Sequence, residues 1–299
     1  LQPGFRSDVP LQVLITGLTG FTGRYIAMAL QARGHTTIDA EAVSPGFDLT
    51  VPESIATAFA NGAPDAVIHL AGISFVGHGD PADFYRVNTI GTTNLLAAAS
   101  RAAKPLAKLI LASSANVYGD AKQSPLTELV PATPVNHYAC SKLAMEFLAQ
   151  QWFGRLPIVI TRPFNYTGRG QSINFLVPKI VDHFRRRAPE IELGNRDIAR
   201  DFSDVRDVAA AYAALLDAPA DNEIVNICSG QSYSLQWILD RCAAITGHSI
   251  RVTENPAFMR PDELKTLAGS PAKLDALTGN TQRRDFGDTL AWMLDSRED

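Results

Sequence analysis

The chain has 299 residues, of which 46% are hydrophobic and 19% charged, and it carries a formal net charge of −4 with a pI near 5.9. That length permits one large domain or two smaller ones, and the mildly acidic balance excludes a broad surface for nucleic acid or anionic lipid. Three cysteines, Cys140, Cys228 and Cys242, are few, odd in number and without metal-ligand spacing; no apolar run reaches membrane-spanning length, and the opening six residues show no signal-peptide core, so a cytoplasmic protein without a metal is expected.

Residues 11–16 read as a short apolar strand that runs into Gly17-Leu18-Thr19-Gly20-Phe21-Thr22-Gly23 and then into a helix over 24–30. Strand, glycine turn and helix in that order make a phosphate cradle, because the glycines let the backbone close tightly on a pyrophosphate that sits on free N–H groups. Gly17, Gly20, Phe21, Thr22 and Gly23 are therefore candidate cofactor contacts. A second strand, 36–40, ends at Asp39 and Glu41, about twenty residues past the glycines, where a carboxylate holds an adenosine ribose 2′-OH and repels a 2′-phosphate. With no arginine beside them, NAD is favoured over NADP. Asp48-Leu49 follows, with Asp48 open to reading as a helix N-cap. Residues 64–71 are a third apolar strand, in which His69 is expected as a buried strand residue; Leu70, Ala71 and Gly72 close it, the glycine allowing close approach of the cofactor.

A helix is expected over 87–96 and a fourth strand over 106–113, delivering Ser114, whose hydroxyl both donates and accepts. Tyr138 and Lys142 open the next helix four residues apart, hence on one face. At roughly 6 Å and an effective dielectric near 20, an ammonium favours a phenolate by about 3 kcal/mol, or about two pKa units, which would fit the pair for proton transfer near neutral pH. A fifth strand over 156–162 ends at Pro163, a sixth returns over 223–229, and a helix over 235–245 stops at Gly247. Arg185-Arg186-Arg187, the one basic cluster, is expected on a solvated helix face.

Ser114, the Tyr138-x-x-x-Lys142 pair, the Gly-x-x-Gly-x-x-Gly turn and the Asn88-x-x-Gly91-Thr92 helix together resemble the extended short-chain dehydrogenase/reductase family, whose members mostly act on nucleotide-sugars. The string Arg162-Pro163-Phe164-Asn165-Tyr166-Thr167-Gly168-Arg169-Gly170-Gln171 resembles the group that reduces GDP-4-keto-6-deoxy-D-mannose, with Tyr166 and Arg169 where His and Pro are expected. The resemblance implies an α/β fold, a Rossmann doubly wound parallel sheet with a smaller, discontinuous C-terminal substrate lobe. Residues 8–163 and 202–229 would form the dinucleotide-binding domain, and 164–201 with 230–299 the lobe.

It further implies that Tyr138 protonates the substrate oxygen, that Ser114 steadies it, and that Lys142 holds the nicotinamide ribose and the phenol. Asp48 would meet the adenine amino group, and Pro163 would lie by the nicotinamide. Asn165, Arg200, Arg260 and Glu263 would contact the nucleotide-sugar, with both arginine forks on its diphosphate. Ala115 and Asn116 stand where dehydratases carry acids, and neither can act as one, so dehydration is not expected. The implied reaction is NAD(P)H-dependent reduction of the C4 ketone of a nucleotide-linked 4-keto-6-deoxyhexose, GDP-4-dehydro-6-deoxy-D-mannose to GDP-D-rhamnose, by a homodimer paired through the 87–96 and Tyr-Lys helices. A nucleotide-sugar 4-epimerase with retained NAD and a non-catalytic cofactor-sensing protein on the same fold are the alternatives.

Overall fold

The computed structural model describes residues 9–74, 79–119, 121–196, 198–255, 266–279 and 282–295. The first half runs β1 (Gln12–Thr16), α1 (Phe21–Gln31), β2 (Thr36–Asp39), α2 (Ala40–Val43), α3 (Pro52–Gly62), β3 (Ala66–His69), α4 (Pro81–Phe84), a wide helical turn at Tyr85–Gly91, α5 (Thr92–Ala99), β4 (Lys108–Ala112), a tight turn at Ala115–Tyr118, α6 (His137–Gln150) and β5 (Ile158–Pro163). The second half runs β6 (Asn165–Thr167), α7 (Leu176–Arg185), β7 (Glu190–Leu193), β8 (Ala199–Asp204), α8 (Val205–Asp217), β9 (Glu223–Ile227), β10 (Ser232–Ser234), α9 (Leu235–Thr246), β11 (Arg251–Glu254), β12 (Thr266–Leu267), α10 (Ala272–Thr278) and α11 (Phe286–Leu294).

Six strands pair in parallel in the order β2-β1-β3-β4-β5-β9. Successive side chains on a strand face opposite ways. Val13, Ile15, Ile68, Ile110 and Val159 accordingly pack under α1 and α8, while Leu14, Val67, Leu109, Leu111, Ile158 and Ile160 pack under α3, α5 and α6. Burial on both faces is why these strands read as continuous apolar runs. The strand order reverses at β1, so the carboxyl ends of β1 and β3 flank a crevice, the place where open α/β sheets take their ligands. The doubly wound sheet is thus as the sequence implies.

The expected strands are present, with shorter or shifted ends. The third stops at His69 rather than residue 71, because the amides of Leu70 and Ala71 both turn onto the Thr16 carbonyl, at 3.2 and 3.0 Å. Ala40 leaves the second strand to open α2, capped by Asp39. Beyond β5, three strands join β10-β8-β12 with β6 paired to β8, and β7 pairs with β11. A separate core of Val177, Ile180, Phe184, Phe202, Ile238 and Phe286 binds α7, α9 and α11 together.

His69 is buried, as expected of a strand residue, with Nδ1 2.7 Å from Thr16 Oγ1 and Nε2 2.9 Å from Thr92 Oγ1. Burial, and secondarily the Lys142 charge, pull its pKa down to about 3. Between about pH 6.5 and 3 the unfolded chain therefore binds a proton that the folded one refuses, so stability is lost as pH falls through that window. Urea denaturation at pH 7 and pH 5 should show the parent protein losing about 2 kcal/mol more than a His69→Gln variant; equal losses would remove His69 as the cause.

Candidate active site

The glycine turn after β1 closes on itself. Gly17 has φ 78°, and a Cβ there would stand 3.2 Å from the Ala71 nitrogen, while a Cβ on Gly23 would lie 2.3 Å from the Gly17 carbonyl oxygen. Only glycine fits both positions. Gly20 caps α1 with no side-chain hydrogen bond, and no acidic residue stands in the first turn. The start of α1 thus offers backbone N–H groups and a positive dipole end to an anion, so the residues present fit a dinucleotide pyrophosphate. Phe21 stacks on Tyr166 at 6.2 Å, and Thr22 Oγ1 shares a 2.9 Å hydrogen bond with the Tyr166 hydroxyl.

At the end of β2, Asp39 accepts from the Glu41 amide, and Glu41 in turn accepts from the amides of Gly46 and Phe47. Asp48 is not a helix cap. Val51 occupies that place ahead of Pro52, and the Asp48 carboxylate instead accepts from the backbone and hydroxyl of Thr50, both at 2.8 Å, which holds its pKa below the usual carboxylate range. Leu49 is buried, its Cβ only 2.7 Å from where a Cβ on Gly91 would stand.

α6 starts at Asn136, whose side chain accepts from the Ala139 amide. Its buried face carries Tyr138, Lys142 and Glu146. Beyond β4 the chain turns at Ser114, which accepts from the Asn116 amide and hydrogen-bonds the Tyr138 phenol. Lys142 Nζ donates to the Ala112 carbonyl at 2.8 Å. It also lies 3.4 Å from where a Cβ on Gly72 would stand, a point 2.7 Å from Asn88 Oδ1. Asn88 is itself held by the Ile73 backbone through bonds of 2.9 and 3.1 Å. Ser114, Tyr138, Lys142, Leu70, Ala71, Gly72 and the glycine turn therefore meet at the carboxyl ends of β1, β3 and β4, with Pro163 closing neighbouring β5.

The acidified phenol expected from the Tyr138–Lys142 spacing is not found. Burial pushes the Tyr138 pKa up to about 12, with the Ser114 bond lowering it and the Tyr166 phenol raising it further. Lys142 is pulled down to about 8 by burial, against the opposing charge of Glu146. The two side chains share a face, but the ammonium reaches to a strand carbonyl, and desolvation outweighs an attraction that the spacing alone would suggest. Near neutral pH the phenol is a proton donor and the amine a cation.

On the far side of the cleft, Asn165 Nδ2 donates to the Asp201 carbonyl at 3.1 Å, and Arg200 on β8 donates to the Ala199 carbonyl. Arg260 and Glu263 lie outside the described residues. Sequence reasoning gave no role to Asp201, which is buried and accepts from the Ser229 amide and hydroxyl, the Gly230 amide and the Gly269 amide at 2.7–3.1 Å. Desolvation raises its pKa despite these donors. Arg169, standing where a proline was expected, donates to the carbonyls of Trp292 and Asp295 and so ties the loop after β6 to α11. Glu146 was also missed, although an acidic residue four beyond Lys142 on a buried face was a signal. Arg185, Arg186 and Arg187 are exposed, as expected, but they do not share a helix face, because α7 ends at Arg185, Arg186 caps it and Arg187 has φ 52°. A groove of about 370 Å³ beside them, lined by Gln171, Pro178 and Met293 among others, contains none of the candidate site residues. Among the described residues no cluster is arranged to hold a metal, and no helix is long and apolar enough to cross a membrane.

The model of the NAD dependent epimerase/dehydratase family matches residues 13–228. The chain is 36% identical over 273 residues, 91% of its length and 93% of the relative's, to GDP-6-deoxy-D-talose 4-dehydrogenase of Aggregatibacter actinomycetemcomitans. It is 35% identical to GDP-6-deoxy-D-mannose reductase of Pseudomonas aeruginosa, over 90% of this chain and 91% of that one. The structure of RMD from Pseudomonas aeruginosa complexed with NADPH superposes with a TM-score of 0.86 at 31% identity, covering 95% of this chain and 96% of that one. UDP-glucose 4-epimerases match at lower identity, 28% for one from Oryza sativa subsp. japonica, over 88% of this chain and 84% of that one.

Gly72→Ala should push the Asn88 side chain away from the segment after β3 and weaken dinucleotide binding by at least about tenfold in a fluorescence titration. Unchanged affinity would remove Gly72 from the cofactor floor.

Proposed function

Because this chain belongs to the NAD dependent epimerase/dehydratase family, we propose that it reduces the C4 ketone of a nucleotide-linked 4-keto-6-deoxyhexose, with GDP-4-dehydro-6-deoxy-D-mannose as substrate and GDP-D-rhamnose as product. The observation that carries this reading is the buried Tyr138 phenol beside Ser114, one helical turn from Lys142 on the same face of α6. Ketone reduction needs a proton donor at the carbonyl oxygen, and a buried phenol with its pKa near 12 is one. The GDP-6-deoxyhexose relatives support the substrate class.

When bound, the dinucleotide supplies the hydride. The chain's own residues do the rest. The start of α1 holds the pyrophosphate, and Asp39 takes the adenosine ribose hydroxyls. Lys142 has three N–H donors and spends one on Ala112, leaving two for the ribose hydroxyls of the dinucleotide. Tyr138 gives its proton to the oxygen at C4, and Ser114 steadies that oxygen while bonded to the phenol. Ala115 and Asn116 sit in the turn after Ser114 and offer no carboxylate for a dehydration.

Asp39 at the end of β2, with Glu41 two residues on in α2, favours NADH over NADPH. The division into a dinucleotide-binding domain, 8–163 with 202–229, and a nucleotide-sugar lobe, 164–201 with 230–299, follows from the same reading, with Asn165 and Arg200 on the sugar side. Ile90 and Phe147 are 54% and 60% exposed, one on the wide turn before α5 and one on α6, which supports a homodimer paired through those helices. The three free cysteines fit a reducing cytoplasm.

Calorimetry with GDP, UDP, dTDP and CDP should find GDP tightest; a UDP preference, with stoichiometric bound NAD and no net cofactor consumption, would make this a 4-epimerase instead. Tyr138→Phe should keep nucleotide and cofactor affinity while kcat falls by roughly two to four orders of magnitude. An equally active variant would sink the assignment. Steady-state kinetics should give NADH the higher kcat/KM, and Asp39→Asn should narrow that preference.

A further inference from the structure

Glu146 is wholly buried and sits one helical turn beyond Lys142 and two beyond Tyr138, so the three side chains climb one face of α6. Each meets a different part of the sheet edge. Tyr138 meets Ser114, Lys142 meets the Ala112 carbonyl, and Glu146 accepts from Ser113 Oγ at 2.5 Å and from Arg162 through Nε at 3.0 Å and Nη2 at 2.6 Å. Ser113 precedes Ser114 in the chain, and Arg162 precedes Pro163. One carboxylate thus pins the end of β4, the end of β5 and the helix bearing the Tyr-Lys pair.

We propose that Glu146 is a positioning residue for the reaction, holding Ser114, Tyr138 and Lys142 in mutual register through Ser113 and Arg162 and supplying the buried negative charge beside Lys142. This rests on Tyr138 and Lys142 being the catalytic pair of the function proposed above.

The charges around the amine leave that part to Glu146. His69 on β3 is neutral, Asn88 on the wide turn is uncharged, Tyr138 is a neutral phenol, and the end of β4 presents Ala112 followed by Ser113. Arg162 on β5 lies in a two-pronged pair with Glu146, and its Nη1 is buried without a hydrogen-bond partner. A buried pair that leaves a donor unsatisfied is poor evidence of stabilisation, and a polar knot beside a reaction centre is better explained by what it positions. Neutralising Glu146 leaves two buried cations with no anion. Arginine does not release its proton, so the lysine must.

The test is the titration of Lys142 in the ligand-free protein, followed through its 13Cε resonance after lysine labelling and assigned with a Lys142→Arg sample. The parent midpoint is expected near 8. Glu146→Gln should lower it by about one unit or more and carry the alkaline limb of the kcat profile down with it, whereas Glu146→Asp, which keeps the charge, should leave it nearly in place. Ser113→Ala should lower kcat several-fold with the midpoint unmoved, and it remains decisive for positioning should Glu146→Gln fail to fold. An unmoved midpoint in Glu146→Gln, an equal shift in Glu146→Asp, or full activity in Ser113→Ala would overturn the proposal. The titration needs no substrate, so a protein that reduced no ketosugar would refute the proposed function while leaving the result on Glu146 standing.

Discussion

The contact on which the site depends is that of one face of α6 with the carboxyl ends of β4 and β5. Desolvation governs everything on that face. It lifts the phenol of Tyr138 and lowers the amine of Lys142, each away from its charged form, and it makes the Glu146–Arg162 pair obligatory, since neither charge could be left there alone. A residue on this helix is thus defined less by its neighbours in sequence than by the strand end it faces.

That contact also sets the protonation state of the phenol. A phenol acidified by an adjacent ammonium would be poised to remove a proton from an alcohol. The phenol in this chain keeps its proton and hydrogen-bonds a serine, the state from which a carbonyl oxygen is protonated. Lys142 is tethered to a backbone carbonyl, so its charge is held at the sheet edge rather than spent on the phenol.

The second half of the chain is organised by different residues. Asp201, with four donors converging on its carboxylate, ties β8 to the loops that follow β9 and precede α10. The two departures in the Arg162–Gln171 string face the first helix and the last. Tyr166 bonds Thr22 in the glycine turn, and Arg169, which receives the Tyr25 hydroxyl on its carbonyl, grips the end of α11. The cofactor turn and the segment leading into the second half of the chain are therefore joined by side chains that differ from those the motif would suggest.

Local pattern alone determined the strand-turn-helix opening, the apolar strands and the burial of His69, because apolar periodicity and glycine spacing are properties of neighbouring residues, whereas the Ser114, Tyr138 and Lys142 set was legible only through the family resemblance. Only the tertiary structure decided the pKa directions, the Thr50 turn at Asp48, and the parts played by Glu146, Asp201 and Arg169. Each of these is set by groups distant in sequence, Glu146 by Ser113 and Arg162, Asp201 by Ser229 and Gly269, and Arg169 by Trp292, or by desolvation, which no spacing in a linear chain records. Asp48 is the exception that shows the limit: its partner is two residues away, yet whether it capped a helix depended on where α3 began.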